Sequence, residues 1–290
     1  MVDRVQLLGG PVDLVSRGGV LRFIGGAVAA GRKAIIGNQN FHSLYLSRDN
    51  ASLASFFDVA DLIEIDSTPL LFWANLVGMG LTRQHRSTYL DWRDDFWRLA
   101  SRNRWRVFCL GATTAVNAVA VARLSAQWPG AVIAGHDGYF DQRRESAENA
   151  EIVSAINEFR PDVLFVGMGM PLQETWIVEN YAALASGVVL SVGAAFDYEA
   201  GAQSPAPRIY GELGLEWLYR LAREPRRLFR RYLIEPWFLV APALDDVKLW
   251  LRGSPPSRRP RVVWRYTPGS SEVTTPARRE LSARDLQKVA

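Results

Sequence analysis

Short apolar runs alternate with helical segments along residues 34–192, and this alternation constrains the fold more than any other feature of the sequence. The apolar runs predict strands at 34–37, 61–65, 105–110, 132–134, 163–166 and 188–192. The segments between them predict helices at 40–57, 91–102, 114–128, 146–159 and 173–186. Strands that alternate with helices form βαβ units and a parallel sheet. Because the strands are nearly continuous runs of Val, Leu and Ile, we expect helices on both faces of the sheet. The sequence therefore predicts an α/β fold.

The chain divides into three predicted regions. Residues 1–207 form the α/β core, although residues 1–30 show no clear pattern. Residues 208–252 are helical, aromatic and rich in arginine, and we predict that they form an appendage to the core. Residues 253–290 are rich in Pro, Ser, Thr and Arg. Such a composition buries too little apolar surface to fold alone, so we predict a mostly disordered tail.

Composition excludes several classes of protein. The single cysteine, Cys109, excludes a disulfide framework and any zinc or iron–sulfur site built from several cysteines. No apolar run reaches the roughly 18 residues that a membrane-spanning helix needs. The N-terminus lacks the basic start and the long apolar stretch of a signal peptide. We therefore expect a cytoplasmic protein, and contact with a membrane surface remains open.

The positive charge is local. The net charge is +4, and six arginines against one acid, Glu224, fall between Arg220 and Arg231. Codon bias explains arginine in place of lysine, but it does not explain this clustering. At helical spacing five of them share one broad face, which can bind an anionic membrane or a diphosphate: Arg220, Arg223, Arg227, Arg230 and Arg231. The alternative is a solvated basic face, and Pro225 is expected to break the helix into two pieces.

Candidate site residues follow the predicted strands, because ligands of parallel α/β sheets bind at the carboxyl ends of the strands. Asp66 stands where a strand meets a turn and is a candidate general base, with a turn or capping role as the alternative. Gly111 and Thr113 belong to a strand-to-helix turn whose N–H groups are candidates for binding a phosphate. Gly167 and Gly169 would let a ligand approach the backbone, and an ordinary connecting loop is the alternative.

No metal site is expected. His136, Asp137 and Asp141 lie close together in the sequence, but a hydrogen-bonded loop histidine is the commoner explanation. The chain has no Asp-x-Asp, Gly-x-Ser-x-Gly or Walker motif. Cys109 lies inside an apolar strand, where a buried, inert thiol is expected.

Several segments, in this order, resemble the WecG/TagA/CpsF family, glycosyltransferase family 26. The resemblance covers about residues 34–232. It is carried by ADL (60–62) with Asp66, VFCLG (107–111), WPG (128–130), HDGYF (136–140), RPDVLFVGMG (160–169), PLQETWI (171–177), VGAAFD (192–197), GLEWLYRL (214–221) and EPRR (224–227). The resemblance implies a Rossmann-like parallel sheet with flanking helices, and an arginine-rich helical C-terminal appendage that completes the site.

The family resemblance also implies an activity. It implies metal-independent, inverting transfer of a sugar from a UDP-sugar to a polyprenyl-diphosphate-linked saccharide, in the biosynthesis of bacterial exopolysaccharide or another cell-surface polysaccharide. The expected location is peripheral, on the inner face of the cytoplasmic membrane, without a cofactor or a nucleic-acid partner. Asp66 matches the proposed general base and Gln173 a motif glutamine near the sugar. The other matched residues are Asn38, Asn40, Arg220, Arg223, Arg226 and Arg227.

Two departures from the family pattern bear on the donor sugar. Read from Arg83, the family's Arg-x-x-Gly-x-Asp element has Arg86 and Thr88 at its Gly and Asp positions. The usual Arg-Ala-Pro reads as residues 205–207, Pro-Ala-Pro, with Arg208 displaced. We therefore favour a neutral hexose such as glucose, with an N-acetylmannosaminyltransferase of the same family as the alternative.

Three functions from other classes stay open. One is a non-catalytic, membrane-associated assembly subunit, against which the presence of both Asp66 and Gln173 counts. Another is a nucleotide-dependent reductase, which the parallel architecture alone suggests although a good dinucleotide fingerprint is missing. The last is nucleic-acid binding, but the aromatic residues of the appendage do not resemble a stacking platform on strands.

Overall fold

The computed structural model describes residues 2–185, 187–204, 210, 215–253 and 259–261. The strands of these residues are β1 (Val2–Leu7), β2 (Gly10–Asp13), β3 (Ala34–Gln39), β4 (Leu62–Ile65), β5 (Arg106–Gly111), β6 (Val132–His136), β7 (Val163–Gly167), β8 (Val188–Ser191) and β9 (Arg259–Arg261). The central sheet has the order β4-β3-β8-β7-β5-β6, and every neighbouring pair is parallel. The predicted parallel α/β fold is therefore confirmed.

Helices follow most of these strands. They are α1 (Arg17–Ala29), α2 (Phe41–Leu46), α3 (Ala51–Val59), α4 (Thr68–Leu76), α5 (Tyr89–Arg102), α6 (Thr114–Gln127), α7 (Ala147–Phe159), α8 (Leu172–Asn180), α9 (Ala195–Ala200), α10 (Glu216–Arg223), α11 (Pro225–Phe229) and α12 (Val240–Leu251). A π-helical turn, Arg230–Ile234, and a 3-10 turn, Glu235–Leu239, join α11 to α12.

Both faces of the central sheet are covered by helices. Successive strand residues point to opposite faces, so Ile35 packs with α3, α7 and α8 while Ile36 packs with α1, α5, α6 and α9. Phe165 lies at the centre of the second face, where its ring is 4.8 Å from that of Phe96. The strands β4, β7 and β8 are buried along their whole length, as their apolar composition predicted, whereas the edge strand β6 is partly exposed.

A second, antiparallel sheet covers the edge of the central sheet. It has the order β2-β1-β9. The fully buried carboxylate of Asp13 on β2 accepts hydrogen bonds from Arg4 and, at 2.7 Å, from the N–H of Ile63 on the edge strand β4. This contact protects a backbone donor that an edge strand would otherwise leave exposed. It also gives a structure to residues that showed no clear pattern in the sequence.

Two predicted helices have different bounds in the structure. The segment 40–57 forms two helices, α2 and α3, because Asn50 starts a new helix by accepting a hydrogen bond from the N–H of Leu53. The helix predicted to reach residue 186 ends at Asn180. The helix α4 was not predicted, because its sequence is almost entirely apolar and lacks helical periodicity.

The described part of residues 208–252 is helical, as predicted, and α10 ends just before Pro225. Within the predicted tail, β9 pairs antiparallel with β1, so this short piece is structured. The rest of the tail, residues 254–258 and 262–290, lies outside the described residues, as do Pro205-Ala206-Pro207 and Arg208. Disorder of the tail stays a prediction.

Candidate active site

A cavity of about 1700 Å³ opens at the carboxyl ends of four neighbouring strands, β4, β3, β8 and β7, and the appendage forms its other wall. Of the predicted site residues, those that line the cavity are Asn38, Asn40, Asp66, Gly169, Gln173 and Arg220. They come from four separate parts of the chain, and the fold brings them together. This cavity is the candidate active site.

Asp66 follows β4 directly and its position is fixed from both sides. Its N–H donates to the carbonyl of Gln39 at 2.9 Å, which extends the pairing of β3 and β4. Its carboxylate accepts a hydrogen bond from Nδ2 of Asn40 at 3.0 Å. Asn40 is itself held as the N-cap of α2, where its Oδ1 accepts from the N–H of Ser43. Asp66 is therefore an oriented carboxylate on the cavity wall.

A second carboxyl group, Glu64, lies two residues before Asp66 and is almost completely buried. Burial raises the pKa of Glu64 to about 8, and the charge of Asp66 adds to this rise. Ser87 Oγ, at 2.5 Å, and Trp92 Nε1, at 3.1 Å, both donate to the same oxygen, Oε1. This arrangement suits a protonated acid with its proton on Oε2, so we assign Glu64 as neutral at neutral pH.

Gln173 joins two loops at the back of the cavity. Its Oε1 accepts from the N–H of Gly169 at 3.2 Å, after β7, and from the N–H of Gly193 at 3.1 Å, after β8. Its Nε2 donates to Glu174 at 2.6 Å. Burial raises the pKa of Glu174 to about 7. The side chain of Gln173 thus holds the two glycine loops in place, which is a positioning role beside the predicted contact with sugar.

Gly111, Thr113 and Gly167 do not line this cavity. A Cβ added to Gly111 would lie 2.1 Å from the carbonyl oxygen of Gly167, so glycine is needed there for close packing of β5 against β7. Thr113 caps α6 by accepting from the N–H of Val116. Both Gly111 and Thr113 are associated with β5, one strand beyond the cavity, and their binding of a phosphate stays a prediction.

The arginines of the appendage differ in whether they line the cavity. Arg220 lines the cavity and donates to the hydroxyl of Tyr198 at 3.0 Å. Arg223 is exposed, does not line the cavity, and packs over the ring of Tyr219. The side chain of Arg227 lies outside the described residues. Further along the appendage, Arg230 and Arg231 also reach the cavity.

Four arginines of the core that line the cavity were not identified as site residues from the sequence: Arg17, Arg83, Arg86 and Arg93. Arg86 is nearly buried. Its backbone forms an isolated parallel β-bridge with Ile65 at the end of β4, next to Asp66. Arg17 donates to the carbonyl of Arg86 and pairs with Asp91 at 3.1 Å. The signal was present in the sequence: read from Arg86 rather than from Arg83, the Arg-x-x-Gly-x-Asp element keeps its aspartate, as Asp91.

The other titratable clusters have structural partners. Asp137 accepts from Thr114 and from the N–H of Tyr139, and Asp141 pairs with Arg143. In the part of the chain that the structure describes, no group of three or more His, Cys, Asp or Glu side chains could hold a metal ion. Cys109 is buried, and burial raises the pKa of its thiol well above the usual range.

Comparison with known proteins decides the family. The model of the Glycosyl transferase WecG/TagA/CpsF family matches residues 5–251. The chain belongs to this family. Its relatives include the N-acetylglucosaminyldiphosphoundecaprenol N-acetyl-beta-D-mannosaminyltransferases of Staphylococcus aureus strains MRSA252 and MW2. Each is 30% identical over 208 residues, which are 68% of this chain and 79% of the relative. The protein is a glycosyltransferase, as predicted.

The names of these relatives bear on the identity of the donor sugar. Both are named as N-acetylmannosaminyltransferases that act on a lipid-linked acceptor, so they favour the alternative over the glucose donor that we preferred from the sequence. Glucose was inferred from two departures: the reading from Arg86 makes the first smaller, and the second, at residues 205–208, lies outside the described residues. In this glycosyltransferase, none of the helices formed by the described residues is long and apolar enough to cross a membrane.

Proposed function

We propose that this glycosyltransferase transfers N-acetylmannosamine from a UDP-linked donor to an N-acetylglucosaminyl diphosphate lipid, with inversion, in the biosynthesis of a bacterial cell-surface polysaccharide. The observation that carries the proposal is the oriented carboxylate of Asp66 in a cavity with arginine-bearing walls. The names of the relatives support the donor and the acceptor. The family resemblance supports UDP as the leaving group.

Asp66 acts as the general base. Its carboxylate takes the proton of the acceptor hydroxyl while the hydroxyl oxygen attacks the anomeric carbon from the side opposite the diphosphate. The new C–O bond forms as the bond to UDP breaks, and UDP leaves with the electron pair. Asn40 orients the carboxylate through the hydrogen bond to Oδ2. The neutral state that we assign to Glu64 leaves Asp66 as the charged member of this pair.

Arginines stabilise the departing diphosphate. Arg86 and Arg220 line the same cavity as Asp66, from the core and from the appendage. Guanidinium groups bind phosphate oxygens through forked hydrogen bonds, and charge that develops on the leaving group strengthens those bonds in the transition state. This arrangement supports a transfer without a metal ion, which remains part of the proposal.

The donor sugar is tested by a panel of nucleotide sugars. We expect UDP release from UDP-N-acetylmannosamine, in the presence of an N-acetylglucosaminyl diphosphate lipid, to exceed release from UDP-glucose by at least about tenfold, since a site that hydrogen-bonds the acetamido group leaves its partners unpaired with glucose. UDP-N-acetylglucosamine serves as the matched control for the acetamido group. Faster turnover of UDP-glucose would contradict the donor assignment.

The second expectation concerns the membrane. We propose peripheral binding to anionic lipid through the arginine-rich appendage, where Arg223 and Arg226 are exposed. The full-length protein should pellet with anionic vesicles at low salt, and a tenfold higher salt concentration should release most of it because salt screens surface charges. Neutral vesicles are the control. Equal binding to both kinds of vesicle would show that charge does not drive attachment.

A further inference from the structure

The helix α4 carries large apolar side chains on its outer side as well as on its inner side. Its nine residues, TPLLFWANL, contain no charge. Leu70, Leu71 and Ala74 face inward and are buried in the cluster beneath the helix. Phe72 and Leu76, one helical turn apart, are 71% and 56% exposed. Asn75 is the one polar residue exposed beside them. Exposed apolar patches of large side chains mark interaction sites, so this outer face points to an apolar partner.

The helix α4 and the turn after it contact the helix α12 of the appendage. Trp73 Nε1 donates to the carboxylate of Asp246 on α12 at 2.9 Å. Trp250, also on α12, lies so close to Gly78 that a Cβ added there would be 3.0 Å from its Nε1. The large exposed apolar side chains of α12 are Val240, Leu244, Leu249, Trp250 and Leu251. Together with Phe72 and Leu76 they form what we call the α4–α12 surface.

We propose that the α4–α12 surface docks onto an anionic lipid bilayer, with Phe72 and Leu76 inserted beside the side chains of α12. The inference deepens the proposed function, because a lipid-linked acceptor brings the reaction to a bilayer. The proposed membrane-facing area then includes the core helix α4 as well as the appendage.

Charge and composition favour a bilayer over a second copy of the chain. Arg226 and Arg252 are exposed in the same appendage, and they complement anionic head groups. A symmetric contact between two copies would bring these like charges toward one another. Trp237 and Trp250 are exposed amphipathic side chains of the kind that is enriched where a bilayer meets water.

The position of α4 links this surface to the reaction. The helix begins at Thr68, two residues after Asp66, and Thr68 and Pro69 line the cavity. A helix of nine residues is about 13 Å long. A bilayer under Phe72 and Leu76 would therefore lie within about the length of α4 from the general base, Asp66. A diphosphate that emerges from the membrane could span this distance.

The test uses the full chain with the paired substitution Phe72→Ser and Leu76→Ser. The matched control is Val119→Ser on α6, an exposed apolar side chain on a helix packed at the opposite end of the sheet. We expect the paired variant to bind anionic vesicles at least about tenfold more weakly, because two large apolar groups lose their burial in lipid. Transfer to a short-chain acceptor in solution should be unchanged, and transfer to a long-chain acceptor in vesicles should fall.

Each outcome separates this inference from the proposed function. Unchanged vesicle binding by the paired variant would overturn the docking surface whatever the activity. A change of oligomeric state in the absence of lipid, with vesicle binding intact, would also overturn it in favour of contact between copies. Failure of the unmodified protein to transfer sugar would refute the proposed function instead, because vesicle binding is measured without turnover.

Discussion

Asp66→Asn is expected to lower kcat about 10²–10⁴-fold, the usual contribution of a general base. The amide keeps the shape of the carboxylate and still offers an oxygen to Asn40 Nδ2, so the wall of the cavity should persist. An amide cannot take the proton of the acceptor hydroxyl. The loss should therefore appear in the rate of sugar transfer, measured as UDP release at saturating donor and acceptor, while the thermal unfolding midpoint stays close to that of the unmodified protein.

The matched control for Asp66→Asn is Asp95→Asn. Asp95 is an exposed carboxylate on α5 that pairs only at the surface, with Arg98 one helical turn along, and it does not line the cavity. Such surface pairs contribute little to stability. Asp95→Asn should leave turnover unchanged. If folded Asp66→Asn turned over at nearly the normal rate, Asp66 would not be the base.

Glu64→Gln is expected to stabilise the protein at alkaline pH. The pKa of Glu64 is about 8 in the folded protein and 4.5 as the ordinary value of the group. Below pH 4.5 the Glu64 carboxyl is protonated in both the folded and the unfolded chain, so its contribution to the free energy of unfolding is fully present. As pH rises from 4.5 to 8, only the unfolded chain releases it, so the free energy of unfolding falls by roughly 3–5 kcal/mol. Glutamine holds no titrating proton and avoids this loss.

Denaturant unfolding at pH 5 and at pH 8 measures the effect. The stability gained by Glu64→Gln over the unmodified protein should be larger at pH 8, by several kcal/mol in order of magnitude. Glu174 also contributes to the pH dependence, with the same sign, but it is present in both proteins and cancels in the comparison. Exposed Glu151→Gln on α7 is the control. A gain that does not change with pH would contradict a neutral, buried Glu64.

The order of the strands in residues 34–192 could be predicted because buried parallel strands need continuous apolar runs, whereas the helix α4 was missed. The arrangement of those strands could not, since it depends on contacts between distant residues, such as the pairing of β3 with β8 across some 150 residues. This arrangement explains why Asn38 and Gln173 meet at one cavity. It also explains why Gly111, at the end of β5, stands outside it.

Residue chemistry could indicate Asp66 but not Glu64. Asp66 is the first polar residue after an apolar run, so the sequence alone marks it as a side chain at the carboxyl end of a strand. Glu64 sits inside the apolar run Leu62–Ile65, and its donors, Ser87 and Trp92, come 23 and 28 residues later. Its burial and its raised pKa are properties of packing. The outer face of α4 is similar, because an apolar sequence alone does not reveal which side chains remain exposed.

The central claim is that Asp66 catalyses transfer of N-acetylmannosamine to a lipid-linked acceptor, and the mass of the lipid product tests it most directly. Purified protein is incubated with UDP-N-acetylmannosamine and an N-acetylglucosaminyl diphosphate lipid, and the lipid is analysed by mass spectrometry. We predict a product heavier by one N-acetylhexosamine residue with the unmodified protein and with Asp95→Asn, and almost none with Asp66→Asn. An unchanged lipid in all three reactions, or equal product from Asp66→Asn, would contradict the claim.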